Sequence, residues 1–306
     1  MMKKLILFTL ALAGSCIAAK AQKPDTARLL IHYQFTHIRD TTNRANPYTE
    51  NMVLFAGKNA SAYRSDDAIR AEEQFKKAYL AEEASPPVGQ PRTRRRGGGS
   101  ALQYYQYPND KKLITKDRLQ VVYYFIESAI PAIQWKISSD TATFGGLHCQ
   151  KATCYFKGRD YIAWFCPDLP LRTGPWQLNG LPGLIVDARD VKNEVIFKFA
   201  GIEKVVLTPR ERVGAPGAAD KDLSPELWGL NADPKVIEPQ LNAIKATQKE
   251  FDRLKDMMFK DPDAFERAIL ANVPNQPDMP KRDPGRVAGK INTPPVWNNP
   301  IELPEK

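Results

Sequence analysis

Cys149-Gln150-Lys151-Ala152-Thr153-Cys154-Tyr155-Phe156-Lys157-Gly158-Arg159-Asp160-Tyr161-Ile162-Ala163-Trp164-Phe165-Cys166 is the stretch from which the fold is read. Cys149 to Phe156 and Tyr161 to Cys166 are rich in aromatic, β-branched and small apolar residues. Between them lies Lys157-Gly158-Arg159-Asp160, where Gly158 supplies the positive φ a tight hairpin turn demands. The pattern predicts two antiparallel strands. With Phe156 opposite Tyr161, Cys166 faces Lys151, so Cys149 and Cys166 lie diagonally on one face and Cys154 on the other. That parity makes Cys149 and Cys166 the candidate disulfide. A diagonal pair in a flat ladder is too far apart to bridge without a bulge or twist, so a bridge and free thiols both stay open.

Working outward, Gly174-Pro175-Trp176 and Leu181-Pro182-Gly183-Leu184 read as two bends. Pro182 fixes φ, and Gly183 is expected at the positive φ of a type II turn. Leu184 to Ala188 then runs back as a strand and pairs with Glu194 to Glu203 around Asp190-Val191-Lys192-Asn193. Trp176, between the bends, is either a core plug or one wall of a groove. Trp164, Trp176, Leu181 and Leu184 are the candidate ligand contacts.

Gly180-Leu181-Pro182-Gly183-Leu184-Ile185 spells the signature of the GLPGLI family. Trp135, Gly146, Cys149 to Ala152, Phe156-x-Gly158-Arg159, Ala163-Trp164-Phe165, Pro170, Gly174-Pro175-Trp176 and Asp190 stand in the order that family shows, and Asn299-Pro300-Ile301-Glu302-Leu303 is similar to its ending. The chain therefore resembles the GLPGLI family, exported proteins of Gram-negative bacteria without established activity. The resemblance carries over no substrate, cofactor or catalytic residue.

Upstream, Ala27 to Asp40 is strand-like, and Met52 to Phe55 with Ala60 to Tyr63 frames a hairpin. Ala68, Ala71, Phe75 and Tyr79 recur three or four apart, which predicts a surface helix over Asp66 to Ala84. Strands return at Leu113 to Lys116, Arg118 to Ser128 and Trp135 to Ser138. Leu241, Ile244, Phe251, Leu254 and Met258 mark one apolar helix face between Pro239 and Phe259. A further helix begins at Pro262, capped by Asp261 and buried through Phe265, Ile269 and Leu270. The expected fold is α+β: a mainly antiparallel, curved sheet with helices packed on one side. Residues 22–272 form a single GLPGLI-type domain with a flexible insertion at about 85–101, and 273–306 a proline-rich tail that is extended or disordered.

Lys3-Lys4, the apolar Leu5 to Ala13 and Ala19-Lys20-Ala21 have the layout of a signal peptide over residues 1–21. The mature chain is then expected to begin at Gln22 and to work in the periplasm or outer envelope. A lipid anchor at Cys16 is the rival reading. The apolar run is too short for a transmembrane helix, which needs about 20 residues. The formal net charge of +9 falls by three lysines on cleavage, and much of the remaining excess sits in Arg92, Arg94, Arg95 and Arg96. That segment has no interleaved aromatics, so a solvated linker is expected and nucleic acid is not.

Glycine-rich phosphate loops, His-Glu-x-x-His, Cys-x-x-Cys and Gly-x-Ser-x-Gly do not occur. His148 beside Cys149 is the one suggestive metal-ligand neighbour, but adjacent strand residues point to opposite faces, so no metal and no cofactor is expected. The functional expectation is a non-catalytic ligand-binding or accessory protein. Its partner would be an envelope protein, a peptide or an apolar small molecule. The alternatives are a hydrolase, a thiol-dependent enzyme using Cys149, or a purely structural envelope component.

Overall fold

A computed structural model describes residues 24–84, 98–120, 122–206, 213–214, 229, 231–239, 243–272 and 297–305. The predicted signal segment, Cys16, the arginine-rich linker, Leu241 and most of the tail lie outside the described residues. The strands are β1 (Asp25–Thr26), β2 (Leu29–His37), β3 (Tyr48–Ala56), β4 (Ser61–Ser65), β5 (Gln103–Tyr107), β6 (Lys112–Leu119), β7 (Val122–Ala129), β8 (Lys136–Phe144), β9 (Leu147–Phe156), β10 (Arg159–Cys166), β11 (Leu184–Asp190), β12 (Val195–Lys204), β13 (Val236–Ile237) and β14 (Ile244–Ala246). The helices are α1 (Asp66–Ala84), α2 (Gln248–Lys260) and α3 (Pro262–Asn272). Twelve strands form one sheet in the order β14-β7-β6-β5-β4-β3-β2-β12-β11-β10-β9-β8, and β1 pairs with β13 apart from it. Among the described residues β14 lies parallel to β7 and the other pairings of the large sheet are antiparallel.

The hairpin that organises the sequence is present, but its turn is shorter than expected. Lys157 (φ 47°) and Gly158 (φ 77°) alone form it, both left-handed as a two-residue primed turn requires. Phe156 therefore pairs with Arg159 and Cys154 with Tyr161, which moves the register two residues from the expected one. Side-chain faces are unchanged, because the period is two. The next hairpin is tied by Asp190, whose carboxylate accepts from the Glu194 and Val195 amides at 2.6 and 3.0 Å.

The signature turn corrects a second expectation. Gly183 is absent from the residues at positive φ, whereas Gly180 sits at +91°. What Gly183 satisfies is space: a Cβ there would lie 2.2 Å from the Cys166 carbonyl oxygen. The backbone of the turn packs directly on the end of β10, where Cys166 pairs with Leu184.

Apolar residues on both faces of the central strands make two layers of core. Met52, Leu54 and Ala56 of β3 join Tyr33, Phe165, Trp176, Leu184 and Phe197 on one face. Val53 and Phe55 join Ala62 and Tyr105 on the other, where Ile69 of α1 packs. Each such buried aliphatic or aromatic side chain contributes about 1.5–3 kcal/mol. At the far end, Phe251, Leu254, Phe265 and Ile269 of α2 and α3 cover Tyr124 and Ile126 of β7.

Pairing through β6, β5 and β4 places Tyr124 and Ile126 on the face of Leu113, Tyr104 and Leu54. The helices thus flank both faces instead of one, because α1 is inserted between β4 and β5 while α2 and α3 follow the edge strand β14. Thr247 caps α2 through a reciprocal box with Glu250. The Asp261 carboxylate accepts from the Ala264 amide at 2.9 Å and so caps α3.

Candidate functional site

Strand alternation brings Phe35 and His37 of β2, Tyr48, Glu50 and Met52 of β3, Tyr63 of β4, Tyr104 of β5 and Phe197 of β12 to one face of the sheet. There they line a cavity of about 130 Å³, completed by Trp176, Ser100 and Leu102 from loops and by Ile301 from the C-terminal segment. Trp176 is the keystone. It is 2 % exposed and held at φ 56°, a left-handed backbone that costs a bulky residue about 1–3 kcal/mol and marks sites where the surroundings impose the conformation. Its indole stacks on Phe197 at 6.2 Å and 14°, with Phe156 at 5.5 Å and Tyr161 at 6.2 Å. Phe35 stacks on the same Phe197 at 5.2 Å.

Polar groups enter this apolar chamber in two states. Some are satisfied: Tyr48 Oη donates to Glu50 Oε2 at 2.6 Å, and the Ser100 amide donates to Glu50 Oε1. The Arg39 guanidinium lies 3.4 Å above the centre of the Tyr48 ring. His37 Nε2 is 2.8 Å from the Asn299 carbonyl oxygen, so Nε2 carries the proton. Burial, with Arg39 and Arg159 nearby, pushes His37 from its ordinary 6.5 down to about 4 against the pull of that carbonyl, so the ring is neutral at pH 7.

Others have no hydrogen-bond partner among the described residues: Tyr63 Oη and Trp176 Nε1 on the wall, and Gln106 Oε1 and Tyr161 Oη behind it. All four belong to Trp176 or its surroundings, since Gln106 Nε2 donates to the Trp176 carbonyl oxygen at 3.3 Å and Tyr63 meets Phe197 at 6.3 Å. The Trp176 N–H lies beside the Tyr104 hydroxyl and favours its ionised form, yet the two are not in hydrogen-bond geometry. Burial raises both the Tyr63 and Tyr104 phenols, which stay protonated.

The C-terminal segment adds Ile301 to the chamber wall. Arg159, 4 % exposed, donates to Asp190 Oδ2 (2.8 Å), Glu194 Oε2 (3.3 Å), Asn299 Oδ1 (2.6 Å) and the carbonyls of Pro300 (2.6 Å) and Ile301 (2.9 Å). The Leu303 amide donates to the Lys157 carbonyl at 3.0 Å and Asn299 Nδ2 to the Ile38 carbonyl at 2.6 Å. Glu302 pairs with Lys157 at 2.7 Å and accepts from Gln177 at 3.0 Å.

Of the four candidate contacts, Trp176 lines the cavity. Leu181 and Leu184 are 1 % and 0 % exposed and belong to the core. Trp164 is half-buried and packs on Phe144 at 5.8 Å. Asp187 and Asp190 bond to separate partners, the Phe199 amide and Arg159. Cys149, Cys154 and Cys166 are free and buried. Burial first, and Cys166 next, push the Cys149 thiol up to about 12, so it is protonated at neutral pH. Among the described residues no group of three or more His, Cys, Asp and Glu is placed to hold a metal ion, and no helix is long and apolar enough to cross a membrane.

Sequence reasoning missed Phe35, His37, Tyr48, Glu50, Tyr63 and Phe197 as wall residues, and Arg159 with Asn299 as the clasp. The usable signal was parity: Phe35 and His37, and Tyr48, Glu50 and Met52, alternate in step on adjacent strands.

A family model described as a protein of unknown function (Porph_ging) matches residues 157–187, the stretch from the hairpin turn through the signature. No curated protein matches. Two solved crystal forms of PNGF-II are similar at 12% identity, with TM-scores of 0.45 and 0.44. Each alignment covers 76% of this chain and 33% of that one, so the chain spans about a third of the length of those proteins.

Proposed function

We propose that this chain is an exported, non-catalytic binding protein of the periplasm or outer envelope, with the sheet curved around the cavity beneath Trp176. The observation that carries the reading is the pair of unpartnered buried polar atoms on residues of the cavity wall, Tyr63 Oη and Trp176 Nε1, since leaving such a group unpaired costs about 1–3 kcal/mol each. A ligand that supplied the missing partners would recover that cost. A chamber of about 130 Å³ suits one ring-sized apolar group, as an apolar cavity of about 150 Å³ admits benzene. Aromatic faces supply the contact, and Tyr63 Oη and Trp176 Nε1 call for an oxygen acceptor on the ligand.

Phenol and benzoate are suitable probes. Each should raise the melting temperature and change the tryptophan emission, with both effects lost in Trp176→Leu. Tyr63→Phe should raise the stability of the free protein by about 1 kcal/mol, since it deletes an unpaired buried hydroxyl, while weakening the probe. Absence of any shift for either probe, together with a destabilised Tyr63→Phe, would overturn the reading.

A further inference from the structure

The two-residue turn at Lys157-Gly158 has a consequence for the thiols. Pairing between β9 and β10 runs without interruption from Phe156 with Arg159 to Gln150 with Phe165. Continued one residue beyond the paired rungs, that register sets Cys149 opposite Cys166. Directly opposed residues of an antiparallel pair have Cα atoms about 4.5–5.5 Å apart, inside the range a disulfide spans. The Cys166 thiol lies close enough to act on Cys149 as a hydrogen-bonding neighbour, and both residues are buried, at 2 % and 0 % exposure. Cys154 points to the other face and pairs across to Tyr161, so it is excluded by parity.

We infer that Cys149 and Cys166 are a cross-strand disulfide site, oxidised by thiol–disulfide exchange as the chain folds. The thiolate of one cysteine attacks a sulfur of a small-molecule disulfide such as oxidised glutathione and releases one glutathione thiol. The partner thiolate then displaces the second, so two thiols are oxidised to one disulfide while one glutathione disulfide is reduced to two thiols. Burial makes the folded thiols poor nucleophiles, which assigns the reaction to the folding chain, before the faces close. The product staples the end of β10 on which Gly183 rests, and so anchors the turn that leads back to Trp176.

Unfolded, reduced protein is refolded with oxidised glutathione, then unfolded, alkylated and mapped without reductant. One linked peptide pair carrying Cys149 and Cys166, with Cys154 alkylated, is the expected result. Cys154→Ser should retain the link, and its melting temperature should exceed that of its dithiothreitol-treated form. Cys166→Ser should show no such difference. Alkylation of all three cysteines, a link through Cys154, or a mixed disulfide with glutathione as the end product would each overturn the assignment.

Discussion

Gly183 and Gly180 stand three residues apart and are glycine for different reasons. At Gly183 an added Cβ would press 2.2 Å from a main-chain oxygen and 2.7 Å from its carbon, atoms that yield only if β10 and the turn separate. At Gly180 the nearest atom to such a Cβ is Trp135 Nε1 at 3.9 Å, and the obstacle is the φ of +91°. Gly180→Ala should therefore cost about 1–2 kcal/mol, the ordinary charge for a left-handed residue. Gly183→Ala should cost more, on the order of 3 kcal/mol or above, as overpacking against backbone does. Urea denaturation of the pair decides it, and equal losses would mean that the turn relaxes around the new methyl.

At the scale of elements, the C-terminal segment is held by a clasp built on the turn of one hairpin and the turn of the next. Arg159 enters β10 directly after Gly158, and Asp190 and Glu194 flank the β11–β12 turn. Removing the guanidinium would leave the buried Asp190 carboxylate without its cation and Glu194 with Arg44 alone, and would release the Asn299, Pro300 and Ile301 contacts together. Arg159→Ala should lose about 3–5 kcal/mol, visible in the denaturation midpoint. Proteolysis should then cut ahead of Trp297 faster than in the parent. A variant that stays fully stable would mean that the ion pairs and the contacts to the C-terminal segment contribute little net free energy. A chain ending at 296 should admit the cavity probes faster, because Ile301 is part of the wall.

For the molecule as a whole, His37 couples pH to stability, since it bridges the sheet and the C-terminal segment. Its folded pKa of about 4 lies below the ordinary 6.5, so between those values the unfolded chain binds the proton that the folded chain refuses. Stability from this group is complete above pH 6.5 and falls as pH drops toward 4. The urea midpoint should decline across that window in the parent and less steeply in His37→Gln. An identical slope in the two proteins would assign the acid sensitivity elsewhere.

Much was legible from residues alone, because local pattern is enough for local structure. The hairpin, the helix over Asp66–Ala84 with its bounds, the Asp190 turn and the Asp261 cap of α3 follow from turn chemistry and periodicity over a few residues. Trp176 stood out through its flanking bends. Length of turn, a choice between two residues and four, is where local reading went astray, since each option keeps the same side-chain faces and only pairing across the sheet selects one. The chamber and its clasp depend on contacts that span far more chain. His37 and Asn299 are 262 positions apart and Tyr33 and Ile185 152 apart, and no window of sequence weighs such pairs. Sequence alone determined the hairpin of β9 and β10 with its side-chain faces and the places of the bends, but not β5 or β14, where Ile244 reads as helix by spacing. Tertiary structure alone decided which faces meet, that Gly183 is glycine for space, and that Trp176, Tyr63 and Ile301 line one cavity, because those outcomes rest on long-range packing free energies that exist only once the sheet has formed.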